Sequence, residues 1–136
     1  MWPLLFVAVS ISAIADLNCT ANGKFSRLAT ICNNINSDTY CLNQYGQGVN
    51  WLSSTERPSA CSSLTDPSVK MYAMALCPKT CGYCCQTIEH SCQNTATRRR
   101  FTSCDAASPA MCRHPAYRAD LFADCPNLCG WCNLGV

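Results

Sequence analysis

Residues 77–84 read CPKTCGYC, and residues 125–132 read CPNLCGWC. Both have the form C-P-x-x-C-G-aromatic-C, and they begin 48 residues apart. Three cysteines, a proline, a glycine and an aromatic matching in register mark one duplicated supersecondary unit. Proline cannot extend a helical hydrogen-bond ladder, so a helix running into either stretch ends near Cys77 or Cys125. Gly82 and Gly130 suit a tight, left-handed bend between two half-cystines.

The approach to each ending is also duplicated. Cys61 is followed by SSLTDPSVKMYAMAL and Cys112 by RHPAYRADLFAD. Asp66-Pro67 sets an N-cap residue ahead of proline at the first helical position. Val69, Met71–Tyr72, Ala73 and Leu76 then recur at helical spacing, which predicts a short helix with Tyr72 in the core. In the second copy Pro115 opens a similar turn, with Tyr117, Leu121 and Phe122 on the apolar side. Tyr83 and Trp131 occupy equivalent places and are expected to pack over disulfides.

The cysteines divide accordingly. The second unit takes Cys92, Cys104, Cys112, Cys125, Cys129 and Cys132; the first takes Cys32, Cys41, Cys61, Cys77, Cys81 and Cys84. Six cysteines allow fifteen connectivities, which spacing alone does not choose between. Cys19 and Cys85 are left over. Pairing them with each other is arithmetic, and would tie the amino-terminal segment to the junction between the units.

The amino terminus fixes the expected compartment. Residues 1–15, MWPLLFVAVSISAIA, carry no charged side chain. The apolar run Leu4 to Val9 is too short to span a bilayer as a helix. Ala13 and Ala15 stand at the −3 and −1 positions of an A-x-A cleavage site, as in a secretory signal peptide. The expected organisation is a signal peptide (1–15), an extension (16–31), a first unit (32–84), a junction (85–91), a second unit (92–132) and a tail (133–136). A cut after Ala15 leaves about 121 residues, of which roughly 12% are Cys, the level of a disulfide scaffold. Outside the cell an even cysteine count reads as cross-links. Few Leu, Ile, Val and Phe remain after the cut, so the core alone is marginal and cross-links must supply much of the stability. No second long apolar stretch follows, so a released protein is expected, without membrane insertion.

At the duplicated endings the chain resembles the ShK toxin (ShKT) domain family, abundant in secreted nematode proteins. The resemblance rests on CPKTCGYC and on an upstream cysteine separated from the ending by 12 to 15 residues, which include DPSVKMYAMAL or HPAYRADLFAD. It implies a small disulfide-rich fold of two tandem ShKT-like modules, with short helices and little or no sheet. It also implies pairing of first with sixth, second with fourth and third with fifth cysteine. Carried over, these are Cys32–Cys84, Cys41–Cys77 and Cys61–Cys81, then Cys92–Cys132, Cys104–Cys125 and Cys112–Cys129. Some family members block potassium channels with a Lys and an adjacent aromatic between the third and fourth cysteines. An ammonium there competes with potassium among the filter carbonyls. The matching positions are Lys70 and Tyr72 in the first unit, and Tyr117 and Arg118 in the second. Neither unit has the adjacent Lys–Tyr pair, and a planar guanidinium is a poor plug. Lys70 is therefore read as a solvated side chain.

Other chemistries have thin support. Cys81-x2-Cys84 and Cys129-x2-Cys132 have zinc-ligand spacing, but an exported chain with an even cysteine count points to bridges instead. No catalytic motif surrounds His90 or His114, and no cofactor is expected. His90 is expected to be exposed in the junction, and His114 to begin a helix. Arg98-Arg99-Arg100 reads as a solvated loop. Asn18-Cys19-Thr20 is the sole sequon for N-glycosylation. A formal net charge of +2 is too weak to argue for nucleic acid or an anionic membrane, neither of which is expected as a partner, so any charge-based function is local. The expected function is non-enzymatic recognition of an extracellular protein, such as a receptor, channel or matrix component. A toxin-like channel modulator and an enzyme-associated matrix module are the alternatives.

Overall fold

The computed structural model describes residues 14–92, 104 and 107–133. The triple-arginine run lies outside the described residues. Seven bridges join Cys19–Cys85, Cys32–Cys84, Cys41–Cys77, Cys61–Cys81, Cys92–Cys132, Cys104–Cys125 and Cys112–Cys129. No cysteine is free. The pairs coincide with those implied by the resemblance and by the arithmetic for Cys19 and Cys85.

The fold is small, disulfide-rich and mostly helical. Among the described residues one antiparallel pair, β1 (Thr20–Ala21) and β2 (Lys24–Phe25), turns at Asn22-Gly23, both with positive φ. That is the chemistry a two-residue hairpin prefers. Helix α1 (Asp38–Tyr45) starts at Ser37, whose side chain accepts from the Tyr40 N–H. Within it Cys41 is the buried residue, so its bridge to Cys77 anchors the helix in place of an apolar face.

Helix α2 (Pro67–Leu76) begins as its sequence dictates, with Asp66 accepting from the Ser68 N–H at 3.0 Å. It stops at Cys77, and Pro78 then opens a separate one-turn helix, α3 (Pro78–Cys81). The second copy repeats this with α4 (Arg118–Asp124) and α5 (Pro126–Cys129). The prolines thus end one helix and start another, because proline is well suited to a first helical position.

The duplication extends to backbone detail. Cys77 and Cys125 share φ −135° with ψ 54° and 56°. Gly82 and Gly130 take left-handed φ of 71° and 73°. Tyr83 N–H donates to Pro78 O at 2.8 Å, and Trp131 N–H to Pro126 O at 3.0 Å. Cys32 N–H donates to Cys84 Sγ at 3.1 Å, and Cys92 N–H to Cys132 Sγ at 3.0 Å. At Gly82 conformation and space agree: a Cβ would lie 2.6 Å from Val49 Cγ2.

Among the described residues three small clusters form the core, each built around sulfur. Cys61, Ala73, Cys81 and Tyr83 pack in the first unit, and Cys104, Ala107, Cys112, Leu121, Cys125 and Leu128 in the second. The third gathers Ile14, Cys19, Phe25 and Ala29 against Val49 and Cys85. Ile14, assigned to the leader by the sequence, therefore contributes to this cluster.

Three apolar residues face the other way from the expected one. Met71 is 69% exposed, Tyr72 66% and Phe122 48%. Ala73 is fully buried, with Val69 and Leu76 partly so. With half-cystines filling the interior, α2 has room to bury only a narrow stripe, and Met71 and Tyr72 are left on the solvent side. His90 is also half-buried rather than exposed: its Nδ1–H donates to Asn127 O at 2.6 Å. Cys132 N–H donates to Glu89 O at 3.0 Å, and Arg27 reaches across to Ala107 O. The junction thus holds the second unit against the first.

Candidate functional site

The exposed side of α2 is the candidate binding surface. Lys70 and Tyr72, two residues apart on a helix, point to different sides. Tyr72 faces solvent beside Met71, which is 69% exposed. Lys70 turns inward. Its Nζ lies 3.0 Å from Asp16 Oδ2 and 5.0 Å from the centre of the Tyr83 ring. The ammonium is thus committed to a carboxylate and an aromatic face, and the expectation of a solvated lysine is corrected.

The second unit repeats the arrangement. Arg118, 48 residues after Lys70, stacks its guanidinium 5.9 Å from the Trp131 ring centre. Phe122 lies beside the same indole at 5.6 Å between ring centres. Tyr117 is half-buried, 5.1 Å from His114. In both copies the cation nominated for binding rests on the aromatic between the last two cysteines. A cation 13 residues ahead of that aromatic in each copy is the sequence signal for this contact.

Tyr83 is fully buried, and what covers it is Arg57, which no motif singles out. Arg57 sits in the long stretch between Cys41 and Cys61 and is only 4% exposed. Its Nε donates to Cys81 O at 2.8 Å and its Nη2 to Gly82 O at 3.2 Å. Nη1 and Nη2 also donate to Asp16 O and Asn18 O. Its plane lies 4.4 Å from the Tyr83 ring centre and 4.9 Å from that of Phe25. A planar fork between two rings, with carbonyls around its rim, is an arrangement lysine cannot reproduce. Burial lowers the Arg57 pKa, while Tyr83, Asp16 and Glu56 oppose that shift.

Asp16 completes the cluster. Oδ2 accepts from Tyr83 Oη at 3.0 Å and Oδ1 from Asn18 N–H at 3.0 Å. Burial on its own raises the carboxyl pKa. Hydrogen bonds from Asn18, Lys70 and Tyr83, with the charge of Arg57, outweigh burial and hold it at about 2. Burial pushes the Tyr83 phenol up to about 12, Arg57 opposing and Asp16 adding to the rise, so the phenol remains a donor at neutral pH. Because the folded Asp16 pKa lies below its unfolded value, its contribution is complete only above about pH 5 and is lost as pH falls through the folded value. The side chain is partly solvated, so the effect is on the order of 1 kcal/mol after screening. Asp16→Asn is expected to flatten that part of the stability profile, read as unfolding midpoints between pH 5 and 2. An unchanged slope would remove Asp16 as the titrating group.

Asn18, the sequon residue, is engaged at both ends of its amide. Nδ2 donates to Asp16 Oδ1 at 2.6 Å, and Oδ1 accepts from Gln86 Nε2 at 2.9 Å. A glycan on Nδ2 would displace the first of these bonds.

Among the described residues no group of three or more His, Cys, Asp and Glu is placed to hold a metal ion. No described helix is long and apolar enough to cross a membrane. The heavy cross-linking fits an oxidising, extracellular setting. No family model, curated protein or solved structure matches the chain.

Proposed function

We propose that this chain is a secreted, non-enzymatic binding protein built from two ShKT-like modules, and that it recognises an extracellular protein through the exposed side of α2. The observation that carries the reading is Met71 and Tyr72, 69% and 66% exposed on a ten-residue helix pinned at both ends. The bridges Cys61–Cys81 and Cys41–Cys77 hold the flanks of that helix, so the two side chains are presented with little conformational freedom to lose. A tyrosine beside a methionine on a rigid support is typical interface chemistry. Support for the module assignment is the coincidence of six bridges with the pairing the resemblance implies.

Channel block by Lys70 is the weaker reading, because insertion into a pore requires breaking its contacts with Asp16 and Tyr83. The oxidised protein, recovered from the medium of secreting cells and fluorescently labelled, is expected to bind cell surfaces or matrix. Tyr72→Ala with Met71→Ala should weaken that binding at least about tenfold without changing the fold. Binding indifferent to both changes overturns the assignment of this surface. Potassium-current block abolished by Lys70→Ala would favour the toxin-like reading instead.

A further inference from the structure

A second surface, separate from the exposed side of α2, lies where the β1–β2 hairpin meets residues 51–53. Leu52 N–H donates to Phe25 O and Phe25 N–H to Ser53 O, both at 2.9 Å, so this short segment is stitched to the hairpin edge. At its tip Trp51 is 46% and Leu52 57% exposed. Leu52 has φ +66°, the left-handed region that a side-chain-bearing residue rarely adopts. Glycine would hold that turn without strain. A leucine kept there at a conformational cost and left facing water calls for a role outside folding.

The cleft beside this tip has a volume of about 400 Å³, and its charged lining residues are Lys24 and Arg27, with no carboxylate among them. Arg27 stacks over Trp51 with its guanidinium 4.4 Å from the ring centre. Lys24 is exposed and forms no ion pair among the described residues. Two adjacent apolar side chains are therefore exposed at a turn, one of them an indole, with Arg27 stacked on that indole and Lys24 lining the same cleft.

We infer that this tip docks onto an anionic phospholipid surface. Trp51 and Leu52 enter the headgroup–acyl boundary and Lys24 meets the phosphates, while Arg27, held between Trp51 and Ala107 O, supplies positive charge behind the ring. Indole favours that boundary because one end of the ring is apolar and the other carries an N–H. Basic side chains next to inserted apolar ones provide the second attraction that stable peripheral binding needs. The net charge of only +2 places the attraction in this patch rather than in the whole molecule. Together with a protein contact through α2, a lipid contact would make binding at a cell surface bivalent.

The test uses the oxidised secreted product, with residues 1–15 removed, and vesicles of phosphatidylcholine with and without an equal part of phosphatidylglycerol. Wild type is expected to sediment with the anionic vesicles and to be released by salt. Trp51 emission should shift to the blue on binding, and a Trp131→Phe background isolates that signal. Leu52→Gly should weaken sedimentation at least about tenfold, and Lys24→Gln about fivefold. Leu52→Gly also relieves the backbone strain, so its thermal stability should equal or exceed wild type, which separates lost docking from lost folding. Absence of vesicle binding overturns the inference. So does sedimentation unaffected by both changes, or retention on heparin without vesicle binding. If α2 variants fail to alter cell binding while these variants alter vesicle binding, the lipid inference stands and the protein-partner reading falls.

Discussion

Arg57→Ala is expected to cost the folded protein about 3–5 kcal/mol, the range for removing one member of a buried charged cluster. Four carbonyl oxygens, on Asp16, Asn18, Cys81 and Gly82, lose a donor together. Buried acceptors without partners retain the full penalty of desolvation. The rings of Phe25 and Tyr83 lose the cation between them, and Asp16 loses a neighbouring positive charge. Arg57→Lys should recover little, because an ammonium cannot reach four carbonyls arranged around a plane. Arg57→Met tests shape alone and should also fall well short of wild type. Denaturant unfolding of the oxidised proteins supplies the measurement. A loss below about 1 kcal/mol for alanine would show that the cluster is incidental to stability.

Full reduction is expected to unfold the chain at room temperature. Each bridge contributes about 2–4 kcal/mol by restricting the unfolded ensemble, whereas a domain of ordinary stability holds about 5–15 kcal/mol in total. Losing seven such contributions exceeds any margin that three sulfur-centred clusters could supply. The largest buried side chains, Tyr83 and Phe25, are themselves held in place by neighbours of Cys19, Cys81 and Cys85. Far-ultraviolet circular dichroism before and after reduction, with thiols blocked, decides the matter. Retention of the helical signal would mean that the apolar contacts suffice alone.

What could be read from the sequence was whatever local covalent and backbone chemistry fixes. The Asp66-Pro67 start of α2, the stop at Cys77 and the left-handed turns at Gly82 and Gly130 each depend on two or three adjacent residues. Six of the cysteine pairs followed from the family resemblance rather than from spacing, and Cys19–Cys85 from being left over. Long-range polar contacts were not legible. Arg57 lies 41 residues from Asp16 and 39 from Asn18, and a lone arginine in a polar stretch carries no signature. Tyr72 was misplaced for a different reason. Counting apolar residues at helical spacing assumes that a helix buries a wide face, and here sulfur has taken the volume. The inward turn of Lys70 depends on Asp16, 54 residues earlier, which no local pattern announces.

The bridges Cys19–Cys85 and Cys92–Cys132 also decide how the molecule answers a pulling force. Tension applied at the two ends passes from sulfur to sulfur across each span, so everything enclosed is sheltered from load. Between the two shielded spans only the tether from Cys85 to Cys92 can straighten, and it reaches ~25 Å at full extension. Stretched between two attachment points, the protein would behave as two inextensible beads on a short leash.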